Sequence, residues 1–227
     1  MRLLIGGNQG EIVKAIRKIM TITLPGMALL LGGCTLPGPK PSIPKSTYLL
    51  EGSESFGRVE AAPAAPCLTL GISIPQSAPG LTTSRIAYME QPYRIDYFAY
   101  HEWADTPARM ILSLLEERLD ASGLFRAVVT NSGTVRPQLR LQTKILRLQQ
   151  VFASTESEVE LKAKITLFDV SRHSLLQTRT FALSEPAKRN NPYEGVVAAN
   201  RAVERLLNEL LDVIADTLAQ MPCPEEE

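Results

Sequence analysis

Residues 159–167 read Val159-Glu160-Leu161-Lys162-Ala163-Lys164-Ile165-Thr166-Leu167, and this stretch decides the fold. Apolar residues alternate with charged or polar ones at every step, which is the period of a β-strand and not that of a helix. Such a strand covers a core with one face and meets water with the other. The stretch therefore predicts an antiparallel sheet that has one open face.

Two apolar segments on either side of this strand complete a meander of three long strands. The earlier segment keeps one phase from Leu139 to Ile145 and changes phase at Leu146. One extra residue would return the apolar side chains to a single face, so we expect a β-bulge near Ile145 and Leu146. The later segment covers residues 175–183.

Two helices are predicted to cover the apolar face. The first begins after Thr106, an N-cap residue followed by proline, and ends before Gly123. The second has Asn191 and Glu194 as an N-terminal capping arrangement. Its apolar stripe consists of Ala199, Val203, Leu206, Leu207, Leu210, Ile214 and Leu218. We therefore expect an α+β fold: a single domain with a mixed sheet, a long antiparallel meander and two helices packed on one face.

Shorter strands are predicted at 68–74, 85–90, 93–103 and 125–130. The first alternates leucine and isoleucine with small residues, so we expect it to be half-buried. The third is rich in aromatic residues, which indicates a second face that is partly covered. The apolar segment 48–50 is expected to add an edge strand.

The tetrapeptide Leu31-Gly32-Gly33-Cys34 has the pattern of a lipobox. A short apolar segment at 19–31 precedes the cysteine, and Lys14, Arg17 and Lys18 lie shortly before that segment. A helix that spans a membrane needs about 20 apolar residues, so a lipoprotein signal peptide is favoured over a transmembrane anchor. A signal peptidase would recognise Leu31, Gly32 and Gly33, and Cys34 would carry the lipid. The alternative is a chance cysteine behind an ordinary signal peptide.

The sequence divides into four parts. Residues 1–33 are the signal peptide, 34–46 a tether with four prolines, 47–221 the folded domain and 222–227 an acidic tail. Proline fixes φ and lacks a backbone donor, so the tether should be extended. At about 3.1 Å per residue it could hold the domain about 30 Å from a membrane.

The charge distribution is unlike that of a nucleic-acid-binding protein. The chain has 24 basic and 24 acidic residues, but residues 1–33 contain four of the bases and one of the acids. The remainder is therefore mildly acidic and contains no basic run. Polybasic adhesion to a membrane is equally unsupported, so we expect the membrane contact to come from the lipid.

The sequence carries no catalytic motif, neither a nucleophile elbow nor a phosphate-binding glycine loop. We therefore expect no enzyme activity and no cofactor. His101 and His173 lack further ligands at metal-binding spacing, so no metal site is predicted. A polar cluster near aromatic residues is more simply interpreted as ordinary strand surface than as a binding site; it consists of Arg94, Asp96, His101 and Glu102.

Two cysteines, Cys67 and Cys223, remain once Cys34 is modified. An exported protein meets an oxidising compartment, so these two thiols could form a disulfide between the first strand and the C-terminal tail. The alternative is that both are free, with Cys67 partly packed and Cys223 in the acidic tail.

Several stretches together resemble the ABC-type transport auxiliary lipoproteins. The likeness covers about residues 47–219, and the stretches that carry it are 48–50, 78–88, 97–104, 121–129 and 197–202. The resemblance implies a periplasmic accessory lipoprotein of a lipid transport system that links the inner and outer membranes. Its partner would be the transporter component that carries mammalian-cell-entry (MCE) domains, and a homo-oligomer is compatible with this role.

Thr35 favours the outer membrane, since an aspartate at that position is the familiar signal for retention in the inner membrane. The protein would then be anchored to the inner leaflet of the outer membrane. Two other functions stay open. One is a lipoprotein that assists assembly of an outer-membrane or secretion machine, and the other is a periplasmic lipoprotein that itself binds lipid.

Overall fold

The structure, a computed structural model, describes residues 43–52, 66–130, 135–152 and 156–221. The lipobox 31–34 and Cys223 lie outside the described residues. From Pro44 onward the described residues belong to one compact unit. Its elements are β1 (Ser46–Tyr48), β2 (Thr69–Ile72), β3 (Gln76–Ser77), a 3₁₀ turn (Pro79–Leu81), β4 (Arg85–Gln91), β5 (Arg94–Trp103), α1 (Pro107–Ala121), β6 (Ala127–Thr130), β7 (Leu139–Phe152), β8 (Ser157–Asp169), β9 (Ser174–Ala187) and α2 (Pro192–Leu218).

The three longest strands, β7, β8 and β9, form the predicted antiparallel meander. The apolar side chains of β8, from Val159 to Leu167, are buried, while Lys164 between them is exposed. The register of β7 against β8 shifts between Ile145 and Arg147. The expected bulge is therefore confirmed, and it keeps the apolar side chains of β7 on the covered face.

The second edge of β7 pairs in parallel with three strands that follow one another along it. Leu139 lies opposite Leu70 of β2, Lys144 opposite Gln76 of β3, and Gln149 opposite a residue of β4. Beyond them, β6 pairs with β2, β5 pairs with β4, and β1 pairs with β5. The sheet is mixed, as predicted. An edge strand is present, but β1 covers Ser46–Tyr48 and not the expected residues 48–50.

The prediction that the first strand is half-buried is wrong. All of β2 is buried: β6 and β7 flank its two edges, and Pro137 lies against Gly71. A Cβ on Gly71 would lie 2.7 Å from Cγ of Pro137, so glycine is needed where the chain passes this close. The predicted strand ends early, and Ile74 is 52% exposed.

Both helices begin and end where the sequence predicts. Asn191 caps α2 by accepting a hydrogen bond from the backbone N–H of Glu194 at 2.9 Å. Thr106 is the N-cap of α1, but its side chain makes no capping bond. Gly123 follows α1 with a φ of 71°, in the left-handed region that glycine adopts without strain.

The two helices lie on one face of the sheet. Helix α2 packs on β8 and β9, and α1 packs against β6 and α2. Neither described helix is long and apolar enough to cross a membrane. Between the helices, the guanidinium of Arg118 donates to Oδ1 of Asn208 at 3.1 Å. Burial lowers the pKa of Arg118, and the nearby carboxylates of Asp212 and Glu204 oppose that shift.

The start of α2 is held to the sheet through Gln150, whose side chain is almost fully buried. Its Nε2 donates to Oγ of Ser157 at 2.9 Å and to the carbonyl of Asn191 at 3.2 Å. Gly195 faces this amide so closely that a Cβ there would lie 2.2 Å from Oε1 of Gln150. The absence of a side chain at Gly195 is therefore what lets the helix approach the sheet.

Gly195→Ala should lower the free energy of unfolding by about 1–2 kcal/mol, because Gln150 must move and give up its hydrogen bonds. In a helix without this contact, the same change would raise stability by about 1 kcal/mol. Urea unfolding followed by circular dichroism measures the difference. The control is the same change in a Gln150→Ala background, where the penalty should vanish. A Gly195→Ala protein that is more stable than the parent would contradict this account of the contact.

Candidate docking surface

Six rings form a continuous row across one end of the sheet, which we call the aromatic cluster. Tyr88 stacks on Phe98 with centroids 4.5 Å apart, and Phe152 meets both rings edge-on. Phe98 also contacts His101 at 6.0 Å, and His101 stacks on Tyr48 at 5.8 Å. The cluster consists of Tyr48, Tyr88, Phe98, His101, Phe152 and Tyr193.

An irregular segment of β5 brings Phe98 and His101 together. Between Arg85 and Ala87 of β4, the paired residues on β5 change from Glu102 to Tyr97, so β5 contains extra residues there. Such a bulge re-aims side chains that would otherwise alternate between faces. Phe98 and His101, which are three residues apart, therefore reach the same row of rings.

Strand β1 joins the row through Tyr48. The hydroxyl of Tyr48 and Nδ1 of His101 form a hydrogen bond of 3.0 Å. The chain after β1 is held to α2 by Asn200, whose Nδ2 donates to the carbonyl of Leu49 at 3.2 Å. This contact fixes Tyr48 beside the first turn of α2, where the ring of Tyr193 lies 6.3 Å away.

The aromatic cluster reaches the protein surface, and it is most exposed at Tyr193. Five of its side chains are partly buried, and Tyr193 is 59% exposed. Exposed aromatic groups that lie together are typical of protein interfaces, because a rigid ring buries a large apolar area with little loss of conformational entropy. We therefore take the cluster as the candidate docking surface.

The four polar residues singled out in the sequence do not form one site. Arg94 pairs with Asp96 at 2.8 Å, and Glu102 pairs with Lys45 at 2.8 Å. His101 instead belongs to the aromatic cluster. Among the described residues, no three histidine, cysteine or acidic side chains lie close enough together to hold a metal ion.

Two apolar recesses lie under α2, one beside Leu210 and Phe181 and the other beside Trp103 and Ala199. Each encloses about 10 Å³. A single water molecule needs at least that much space. Neither recess can therefore hold an acyl chain.

Cys67, at the entrance to β2, is disulfide-bonded in the structure. Its partner lies outside the described residues, as do Cys34 and the lipobox residues Leu31, Gly32 and Gly33. The chain contains three cysteines.

Two solved structures of similar fold support the architecture. Protein XCC0632 from Xanthomonas campestris, assigned to the DUF330 family model, is 20% identical, with 77% of this chain and 97% of that chain covered and a TM-score of 0.66. An uncharacterised protein is 13% identical, with 76% and 99% covered and a TM-score of 0.58. These identities establish likeness of fold alone. No curated protein matches the sequence.

The model of one family matches the sequence over residues 48–211, which is most of the chain. That range begins at Tyr48 in β1 and extends through most of α2, so it takes in the sheet, both helices and the residues of the aromatic cluster. The match confirms the likeness noted in the sequence. This chain belongs to the ABC-type transport auxiliary lipoprotein component family.

Proposed function

We propose that this protein is a non-catalytic docking subunit of an MCE-type ABC lipid transport system, held by lipidated Cys34 in the inner leaflet of the outer membrane. One observation carries the docking role: the aromatic cluster includes Tyr48 of β1, the strand that follows the tether sequence. Family membership indicates a membrane-anchored periplasmic lipoprotein and an association with an ABC transporter. The partner with MCE domains is the finer part of the proposal, and Thr35 supports the outer membrane as the destination.

The proposed mechanism combines the anchor with the aromatic cluster. An acylated Cys34 confines the domain to a thin layer beside the membrane, which raises its effective concentration for any partner that reaches the same layer. The exposed ring of Tyr193 and the rings behind it would then bury apolar area against the MCE-domain component. Because the anchor raises the effective concentration, a protein contact of low affinity is enough to hold the transporter at one membrane.

Two alternative functions are a periplasmic lipid carrier and a lipoprotein that assists assembly of an outer-membrane or secretion machine. The small volumes of the apolar recesses under α2 weigh against a lipid carried beneath that helix, because neither admits an acyl chain. A role in assembling an outer-membrane or secretion machine would use the same anchor and the same exposed rings. Adjacent genes for a permease, an ATPase and an MCE protein would favour transport over assembly.

Cys34→Ala should abolish stable membrane association, because the acyl groups on Cys34 supply the stable insertion into lipid. The measurement is the distribution of the protein between washed membranes and the soluble periplasmic fraction, with intact mass to detect the acyl groups on the parent. Separation of inner from outer membranes tests the proposed destination. A Cys34→Ala protein found wholly in washed membranes would contradict the lipid anchor.

Tyr193→Asn should weaken binding of the MCE-domain component at least tenfold, because truncating an aromatic anchor of an interface costs about 2 kcal/mol or more. Surface plasmon resonance with the purified component measures the change. Tyr93→Asn is the matched control, since Tyr93 is a fully exposed tyrosine in the β4–β5 turn and has no place in the cluster. Equal binding by the parent and both variants would remove the aromatic cluster as the docking surface.

We also propose that Cys67 is bonded to Cys223. The disulfide at Cys67 needs a second cysteine, and acylation of Cys34 leaves only Cys223 in this chain. Denatured, unreduced mature protein should therefore have no free thiol, and reduction should lower the free energy of unfolding by up to about 5 kcal/mol. Cys67→Ser and Cys223→Ser should each expose one thiol and be equally destabilised. Two free thiols in the parent would contradict the bridge.

A further inference from the structure

The face of the sheet opposite the helices carries a group of cations. Lys144 of β7 lies directly opposite Lys164 of β8, and Arg147 lies opposite Lys162 at the other side of the bulge. Lys162 and Lys164 are two residues apart in one strand, so both pairs lie on the same side of the sheet. We call these four residues, Lys144, Arg147, Lys162 and Lys164, the cationic face.

Among the described residues, one of the four charges of the cationic face is in an ion pair, and Glu160 lies two residues from Lys162 on the same side of β8. Arg147 pairs with Glu160 at 3.1 Å. Within the described part of the chain, no ion pair involves any of the three lysines of the face. Their neighbours on β9 are the uncharged Thr180 and Ala182. Because like charges directly opposite each other are unfavourable in a sheet, this arrangement is costly unless an anion meets it.

An exposed aliphatic side chain lies beside these cations. Ile74 lines the same recess as Lys144 and Lys164, and it is 52% exposed. Cations next to an apolar group suit the surface of an anionic membrane, where the charges meet headgroup phosphates and the apolar group reaches the interface. A small anion in water would use the cations and gain nothing from Ile74.

The length of the chain between Cys34 and the described residues also fits a membrane as the partner of the cationic face. Eight residues lie between Cys34 and Ile43, and a chain of that length spans at most about 30 Å. In the sheet, β1 is separated from β7 by β5 and β4, which amounts to about 15 Å at about 4.8 Å per strand. The anchor is therefore long enough for the cationic face to reach the membrane that holds Cys34.

We propose that the cationic face lies on anionic phospholipid headgroups of the membrane in which Cys34 is anchored. The inference rests on the lipid anchor of the proposed function and is independent of the MCE partner. An acyl chain on a long tether leaves the orientation of a domain undefined. A second, electrostatic contact fixes which side of the domain faces the membrane and which faces the periplasm.

The test uses the lipidated mature protein in nanodiscs of phosphatidylcholine alone or with added phosphatidylglycerol. Acetylation by a lysine-specific reagent, read by peptide mass spectrometry, reports the accessibility of each lysine. Anionic discs should slow the acetylation of Lys144, Lys162 and Lys164 about fivefold or more relative to zwitterionic discs, and Lys188 should not change. Because attraction between exposed charges is screened by salt, 0.5 M NaCl, chosen as roughly five times a standard buffer, should remove the protection.

Lys162 then serves as the reporter for variants. In Lys144→Gln/Lys164→Gln its protection in anionic discs should fall about fivefold or more. In the matched control Lys188→Gln/Arg189→Gln, which removes the same charge from the β9–α2 loop, it should persist. Equal acetylation in both kinds of disc would overturn the proposal, while co-elution with zwitterionic discs reports the lipid anchor separately.

Three further outcomes would each contradict the proposal that the cationic face binds the membrane. Protection by inorganic phosphate with zwitterionic discs would show a site for a free anion. Protection in zwitterionic discs that disappears when residues 225–227 are deleted would assign the face to the chain's own acidic tail. Protection in either disc only after addition of the MCE-domain component would assign it to an acidic protein surface.

Discussion

Hydrogen bonding along both edges of β7 is the constraint on which the rest of the structure depends. One edge pairs with β8 along nearly its whole length, and the other pairs in turn with β2, β3 and β4. A slip of one residue in such a strand would exchange its two faces. The bulge after Ile145 prevents this exchange, and both Ile145 and Leu148 remain buried under the helices.

The sequence pattern over a few neighbouring residues was enough to predict some of the elements. The alternation in β8, the phase change at Ile145 and the cap at Asn191 all lie within a few residues of the feature that they determine. The burial of β2 could not be predicted this way. Its burial depends on β6 and β7, which flank its two edges in parallel, and on Pro137, which lies against Gly71. Parallel partners that are far apart in sequence leave no pattern in the local sequence.

The aromatic cluster escaped prediction for the same reason. Tyr48 and His101 meet only because β1 pairs in parallel with β5, with Ser46 opposite His101. Tyr193 joins them because Asn200 holds the chain after β1 to α2. Residues 93–103 could be recognised as aromatic and partly covered, but the rings contributed by β1, β4, β7 and α2 are assembled by tertiary contacts alone. The predicted lipobox differs in kind, because the pattern that suggests it consists of consecutive residues, 31–34, which lie outside the described part of the chain.

The cations beside α2 and those on the cationic face differ in whether the sheet places a carboxylate next to them. Next to α2, Glu185 accepts from Arg205 at 2.6 Å and pairs with Arg201 at 3.5 Å, so the cations of that helix meet a carboxylate on β9. The sheet could present carboxylates to Lys144 and Lys164 in the same way, but it places the two lysines opposite each other instead. A cost of up to about 1 kcal/mol for such a pair on an exposed face is small beside the burial on the other side of the same strands. The core therefore tolerates a pair of like charges that contributes nothing to folding.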